Sequence, residues 1–349
     1  MAPGITTTKI TKITIMTVRA GATDMPVVRT NILTDDGARA DFVDGVLALK
    51  HEFPGVTMGQ VGVPGGGATP ISTYDLFVVW HCLTMNAMTP PGNPDGRNAA
   101  HGGPVFCPWH RFLLALFEAS IQRVLSKPSF ALPYWDWAAD GELPIGDQQQ
   151  SQLWQPGVLG GSGNPVASGP FAFGPGDETF RVRVDQAPTM SLRPVNRGLR
   201  RQLGESGTTL ASGADVHAVL DRTDYDTAPW SSRSTGSFRN GLEGWDPTWA
   251  SRLHNGVHVW VGGDMGSGTS PNDPVFYLNH CNVDRIWEAW LTATATAAGR
   301  AYVPDQSAPA DLRPHRLDDP LRSLFTKDAP TPRQVLDMGT IYGYDALPA

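Results

Sequence analysis

His254 and His258, in "LHNGVHVW", are four positions apart. On a helix their side chains share one face with Cβ atoms about 5–6 Å apart, close enough to grip a single metal ion. The glutamate of a zinc-protease HExxH motif is missing, because Asn255 and Gly256 follow the first histidine. A third imidazole, His280, comes from the next helical pattern, "VFYLNHCNVDRIW". The first half of the chain offers a comparable set: His81 in "VVWHC", His101 in the glycine-rich "NAAHGGPVFCPW" and His110 in "CPWHRF". Two sets of three neutral imidazoles, with no Asp or Glu at matching spacing, suit copper better than carboxylate-rich di-iron centres or the oxygen cages of calcium and magnesium. His51, His217 and His315 lack partners in sequence and read as surface or satisfied core residues.

Four helical patterns must position these side chains. Segments 74–88 and 109–125 carry apolar residues at mixed three- and four-residue spacing and predict buried helices. A third is predicted over 246–260, with Asp246 as N-cap and Pro247 at the first helical position. A fourth starts near Asn272-Asp273-Pro274 and runs to a stop at Gly299. Between 141 and 240 periodicity is sparse, with short helices expected in "NRGLRRQLG" and "ADVHAVLDR". The expected fold is mainly α: a four-helix bundle core holding a dinuclear copper site, with long irregular loops and a few short strands. Residues 1–40 are expected to form an extended or partly disordered extension, and 41–349 a single catalytic domain.

Composition narrows the function. With 40% hydrophobic and 17% charged residues the chain is globular, and no window approaches the roughly 18 apolar residues of a membrane span. A net charge of −7 lacks the basic footprint of nucleic-acid binding. The three cysteines, Cys82, Cys107 and Cys281, form no CxxC pair, and a disulfide framework is not expected. The N-terminus interleaves threonine with isoleucine and makes a poor signal peptide, so the expected location is the cytoplasm, or export with a partner.

The runs "FCPWHRFLLALFE", "LPYWDW", "FRNGLEGW", "LHNGVHVWVGG" and "SPNDPVFYLNHCNVDRIW", together with "YGY" at Tyr342–Tyr344, resemble the tyrosinase family of type 3 copper proteins, in particular bacterial tyrosinases and o-aminophenol oxidases. The likeness covers about residues 70 to 300. It implies two copper ions per chain, one on His81, His101 and His110 and one on His254, His258 and His280, which together use O2 to oxidise a small aromatic substrate. It also implies that Glu243 and Asn255 hold a water that takes the proton from a monophenol; a brace for the imidazoles is the plainer reading of both. Phe276 is expected to pack against imidazole. Where many relatives place a bulky side chain over the metals, this chain has Gly266, Ser267 or Gly268, which implies a wide entrance.

Three departures from the family pattern carry expectations of their own. Asn279 replaces the first of two consecutive histidines, which points toward aminophenols. Ala99 stands where a thioether cysteine would be, so that crosslink is not expected. The stretch after the last copper helix is expected to be too short for a C-terminal lid, leaving room for a separate copper-delivery partner. Trp80, Trp109, Trp135 and Trp137 are expected in the core, and Asp284 with Arg285 in structural ion pairs. The leading expectation is an oxidase of o-aminophenols or o-diphenols giving quinone imines or o-quinones. Monophenol hydroxylation, aminophenol N-oxygenation to a nitroso product and a haemocyanin-like O2 carrier are the alternatives.

Overall fold

A computed structural model describes residues 26–174, 176, 178–249, 252–293, 301–339 and 341–348. Its regular elements, in chain order, are β1 (Val27–Arg29), α1 (Asp36–His51), α2 (Thr73–Met85), α3 (Phe106–Val124), α4 (Trp137–Gly141), β2 (Val182–Gln186), β3 (Leu192–Arg197), α5 (Gly213–Leu220), α6 (Phe238–Glu243), α7 (Leu253–Val261), α8 (Val275–Thr292) and β4 (Tyr342–Tyr344). Short single turns of helix and long loops join them, as a mainly α protein rich in glycine and proline requires. No described helix is long and apolar enough to cross a membrane.

Of the six candidate ligands, His81, His110, His254, His258 and His280 sit on α2, α3, α7 and α8, and His101 lies in the loop between α2 and α3. Apolar residues occupy nearly every turn of α3 and α8 on all sides, and both are buried along most of their length, so they form the centre of the core. α3 packs between α1 and α8, and α7 lies against α6 and α8. Local signals set several helix starts. Ser72 accepts from the backbone N–H of Asp75 to open α2, and Ser212 with Asp215 forms a reciprocal capping box on α5.

Several boundaries differ from expectation. α7 begins at Leu253, not Asp246, because the Asp246 carboxylate accepts from Arg222, Thr248 and the N–H of Gly236 and so is spent on loop contacts. α3 opens at Phe106, which puts His110 in its second turn. "NRGLRRQLG" is not a helix: its first residues end β3, and Arg201 bridges to Gly163. The expected stop at Gly299 lies outside the described residues. α1 was not anticipated, and it spans the boundary expected after residue 40.

Two small sheets complete the frame. β2 and β3 form an antiparallel hairpin with an irregularity between Val182 and Val184. β1 pairs in parallel with β4, Val27 opposite Tyr342 and Arg29 opposite Tyr344. That pairing delivers Arg29 into the core, where its Nε donates to Glu118 at 2.9 Å. The Tyr342 and Tyr344 hydroxyls each donate to Asp284 Oδ2 at 2.6 Å, and Arg111 Nε donates to Oδ1 at 2.5 Å. Asp284, one turn after His280, is thus a buried carboxylate neutralised from several sides. Arg285 pairs instead with Asp136, so Asp284 and Arg285 each enter an ion pair but not with one another.

Candidate metal centre

Each histidine arrives by a different local device. His81 projects from the buried α2, and its Nδ1 is 2.8 Å from the Gly268 carbonyl. His101 lies in a loop shaped by Asn98, whose Oδ1 accepts from the N–H groups of Ala100 and His101 at 3.0 and 2.8 Å. His110 Nδ1 meets the Phe106 carbonyl of its own helix at 2.8 Å. On α7, His258 Nδ1 meets the Met265 carbonyl at 2.8 Å, and His254 Nδ1 lies 3.3 Å from the Glu243 carbonyl and 3.1 Å from Asn255 Oδ1. His280 projects from the second turn of α8 and is buried.

A carbonyl beside Nδ1 fixes the proton there and leaves the Nε2 lone pair free. The Nε2 atoms of His81, His110 and His258 are buried with no partner among the described residues. Burial pushes all six imidazoles well below their ordinary value, His81 to about 3 and His258 to about 4. All six are therefore neutral at physiological pH, the state a metal needs. His81, His101 and His110 bring ligand atoms within 4.8 Å of one another, and so do His254, His258 and His280. His254 Nε2 and His280 Nε2 lie 3.2 Å apart, and buried ring nitrogens converging in this way without a carboxylate fit copper by donor set.

The two triads adjoin. His110 stacks on His280 with ring centroids 4.1 Å apart, and His101 lies 6.2 Å from His254. Phe276 packs on His280 at 4.2 Å and on His81 at 4.9 Å, touching both groups as expected of it. Phe106 does the same from the other side, 4.8 Å from His254 and 4.9 Å from His110. Sequence reasoning missed Phe106. Its signal was present: Phe106 precedes His110 by four residues as Phe276 precedes His280.

The surrounding candidates separate. Glu243 is fully buried; its Oε1 accepts from the N–H of Gly102 at 2.7 Å and from Trp245 Nε1 at 3.1 Å, and its Oε2 pairs with Arg239 at 2.9 Å. Those bonds tie the His101 loop to α6 and are the bonds of a brace. Burial raises its pKa against the pull of Arg239. Asn255 keeps an Nδ2 with no partner among the described residues, and Asn279 is buried with neither amide atom paired there. Gly266 faces open space, with no atom within 4 Å of where a Cβ would stand. Ser267 bonds Thr269 at 2.9 Å, and Gly268 is buried with its carbonyl on His81 Nδ1.

The four tryptophans and the three remaining histidines lie where expected. Trp80, Trp109, Trp135 and Trp137 are buried. His51 and His217 lie at the surface, and His315 is a satisfied core histidine between Thr89 Oγ1 and the N–H of Val105.

The common central domain of tyrosinase matches residues 71–293. The chain is 42% identical to a Streptomyces glaucescens tyrosinase over 260 residues, 69% of this chain and 86% of that protein. It is 35% identical to a Streptomyces griseus grixazone synthase over 296 residues, 78% and 90% of the two chains. Among solved structures, an active aurone synthase (polyphenol oxidase) superposes with a TM-score of 0.53 at 19% identity, covering 93% of this chain and 87% of that one, a likeness of fold. At such identity, over so much of both proteins, the chain belongs to the tyrosinase family of dinuclear copper oxidoreductases.

Proposed function

We propose that this chain uses O2 to oxidise o-aminophenols or o-diphenols to quinone imines or o-quinones, with one copper on His81, His101 and His110 and a second on His254, His258 and His280. The contact of His110 with His280 supports this reading most directly, because it puts both triads within reach of one small molecule. Copper supplies the redox steps by which dioxygen accepts electrons from the aromatic. Two substrate molecules, each giving two electrons and two protons, reduce one O2 to two waters.

The protein's own part is orientation and exclusion. Backbone carbonyls hold the Nδ1 protons of His81, His110 and His258 so that their Nε2 atoms face inward. Phe106 and Phe276 wall the rings and keep water from the sides. Gly266 leaves an approach beside the Met265 carbonyl that holds His258.

Monophenol hydroxylation is the second reading, supported by the unpaired Asn255 Nδ2 beside His254. Glu243 favours the first reading, since three protein donors already occupy the carboxylate that would have to hold a water. The test is oxygen uptake by copper-loaded protein on 2-aminophenol, catechol and phenol side by side. Turnover of the first two, with phenol slower by at least about tenfold, is expected. Comparable phenol turnover would establish the second reading, and reversible O2 binding without uptake would make the protein a carrier.

A further inference from the structure

The short loop between α7 and α8 touches both triads. The Met265 carbonyl meets His258 Nδ1 at 2.8 Å, and three residues on the Gly268 carbonyl meets His81 Nδ1, also at 2.8 Å. One stretch of backbone therefore orients a ligand from each half of the centre, and a shift of that stretch moves both.

The β2–β3 hairpin holds the loop from outside. Gln186, the last residue of β2, accepts the N–H of Gly268 on Oε1 at 2.9 Å, so one peptide unit after another links Gln186 to His81. At the other end of the loop Asp264 receives Arg197 Nη1 at 2.8 Å, Arg200 Nη2 at 3.0 Å and the N–H of Arg200 at 2.9 Å. Asp185 gathers the same two arginines, at 3.0 and 3.4 Å. Gly263, at φ +54°, lies against the Arg200 carbonyl, which occupies the space a Cβ would need. The aspartate end is redundantly tied, with several bonds to lose. At the Gly268 end Thr269 Oγ1 also reaches Asp185 Oδ1 at 3.4 Å, but the N–H of Gly268 itself is held by Gln186.

We propose that Gln186 is a positioning residue for the dinuclear centre: through the Gly268 peptide it sets His81, and through the same loop it steadies His258. This rests on the copper reading above. Removing a group that hydrogen-bonds a metal ligand changes metal affinity by about 10–100-fold; the Gly268 carbonyl is that group for His81, and Gln186, one step further out, acts on it through the Gly268 residue and on His258 through three residues of chain.

Copper stoichiometry and resistance to a copper chelator, measured on the full-length protein, test it. Gln186→Met keeps the length of the side chain and removes the acceptor, and Gln186→Asn keeps the amide but falls short of Gly268. Both are expected to release copper at a chelator concentration about tenfold lower than the unaltered protein, passing through a half-loaded form in which a lone Cu(II) becomes visible by electron paramagnetic resonance. Gln186→Glu, which still offers an acceptor to the Gly268 N–H, is expected to restore retention. Arg183→Ala, on the same strand but paired with Glu178, is expected to match the unaltered protein. Unchanged retention in both the Met and Asn variants, failure of Glu to rescue, or equal loss in Arg183→Ala would each overturn the assignment. Failure of the unaltered protein to take up two coppers would instead overturn the copper reading.

Discussion

His110 and His280 overlap face to face, centroids 4.1 Å apart and ring planes within 10° of parallel, although one belongs to each triad. Such overlap is tolerable while both rings are neutral, and burial with neighbouring imidazoles holds both well below their ordinary pKa. The contact also ties α3 to α8, so packing between central helices brings one ligand of each triad together, while loops orient His81, His101 and His258.

Replacing His258 by alanine removes one of three donors while sparing the fold, because the side chain's hydrogen bond is to a single carbonyl, that of Met265. Copper content is expected to fall from about two to about one per chain, and catechol-driven oxygen uptake to drop by more than the roughly 100-fold that follows loss of an outer-shell partner. Metal analysis alongside oxygen consumption checks this; full activity in the variant would sink the placement.

Glu243→Gln tests bracing against proton handling. The change leaves the buried Arg239 with Asp226 as its remaining carboxylate and is expected to cost about 2–4 kcal/mol of stability. As a brace, Glu243 affects phenol and catechol oxidation by the same factor. A selective loss with phenol would return it to the role of holding a proton-accepting water.

Asn279 carries two unpaired amide atoms into a fully buried position, an arrangement that opposes stability. Asn279→Leu, similar in volume, is expected to raise unfolding free energy by about 1–2 kcal/mol and at the same time to change the ratio of 2-aminophenol to catechol turnover. Denaturant titration and the substrate ratio are read on one preparation. Higher stability with an unchanged ratio would remove Asn279 from substrate selection.

Acid stability follows from Asp246. Burial would raise its pKa, but the Arg222 guanidinium and the donors of Thr248 and Gly236 bring it from the ordinary 3.8 down to about 2. A carboxylate depressed on folding contributes stability that is present above its unfolded value and lost as pH falls through the folded one. That contribution is therefore expected to vanish between about pH 4 and 2. Asp246→Asn should be less stable at neutral pH and flatter across that window; parallel curves for the two proteins would refute the pairing.

The histidines and their four helices were legible because ligand spacing and apolar periodicity are local properties of the chain. Phe276 was legible for the same reason, standing one turn from His280. What escaped depends on distant partners. The start of α7 moved because Arg222 claims Asp246 from 24 residues away. The hold of Glu243 on the His101 loop was hidden because Gly102, 141 residues earlier, folds back onto it. Gly268 looked like an open doorway by type alone, and only the position of His81 showed its carbonyl to be occupied. Phe106 stands apart, since its spacing was visible and simply unused.

The β1–β4 clasp joins residues as much as 315 positions apart, with Arg29 reaching Tyr344 at 3.2 Å. Ordering so long a span is entropically expensive and is recovered only after the intervening polypeptide has been organised. On that ground the seam is expected to form late in folding and to open early in unfolding. Because its tyrosines grip Asp284 one turn past His280, loosening the seam reaches the ion-binding interior from behind, by a route no substrate takes.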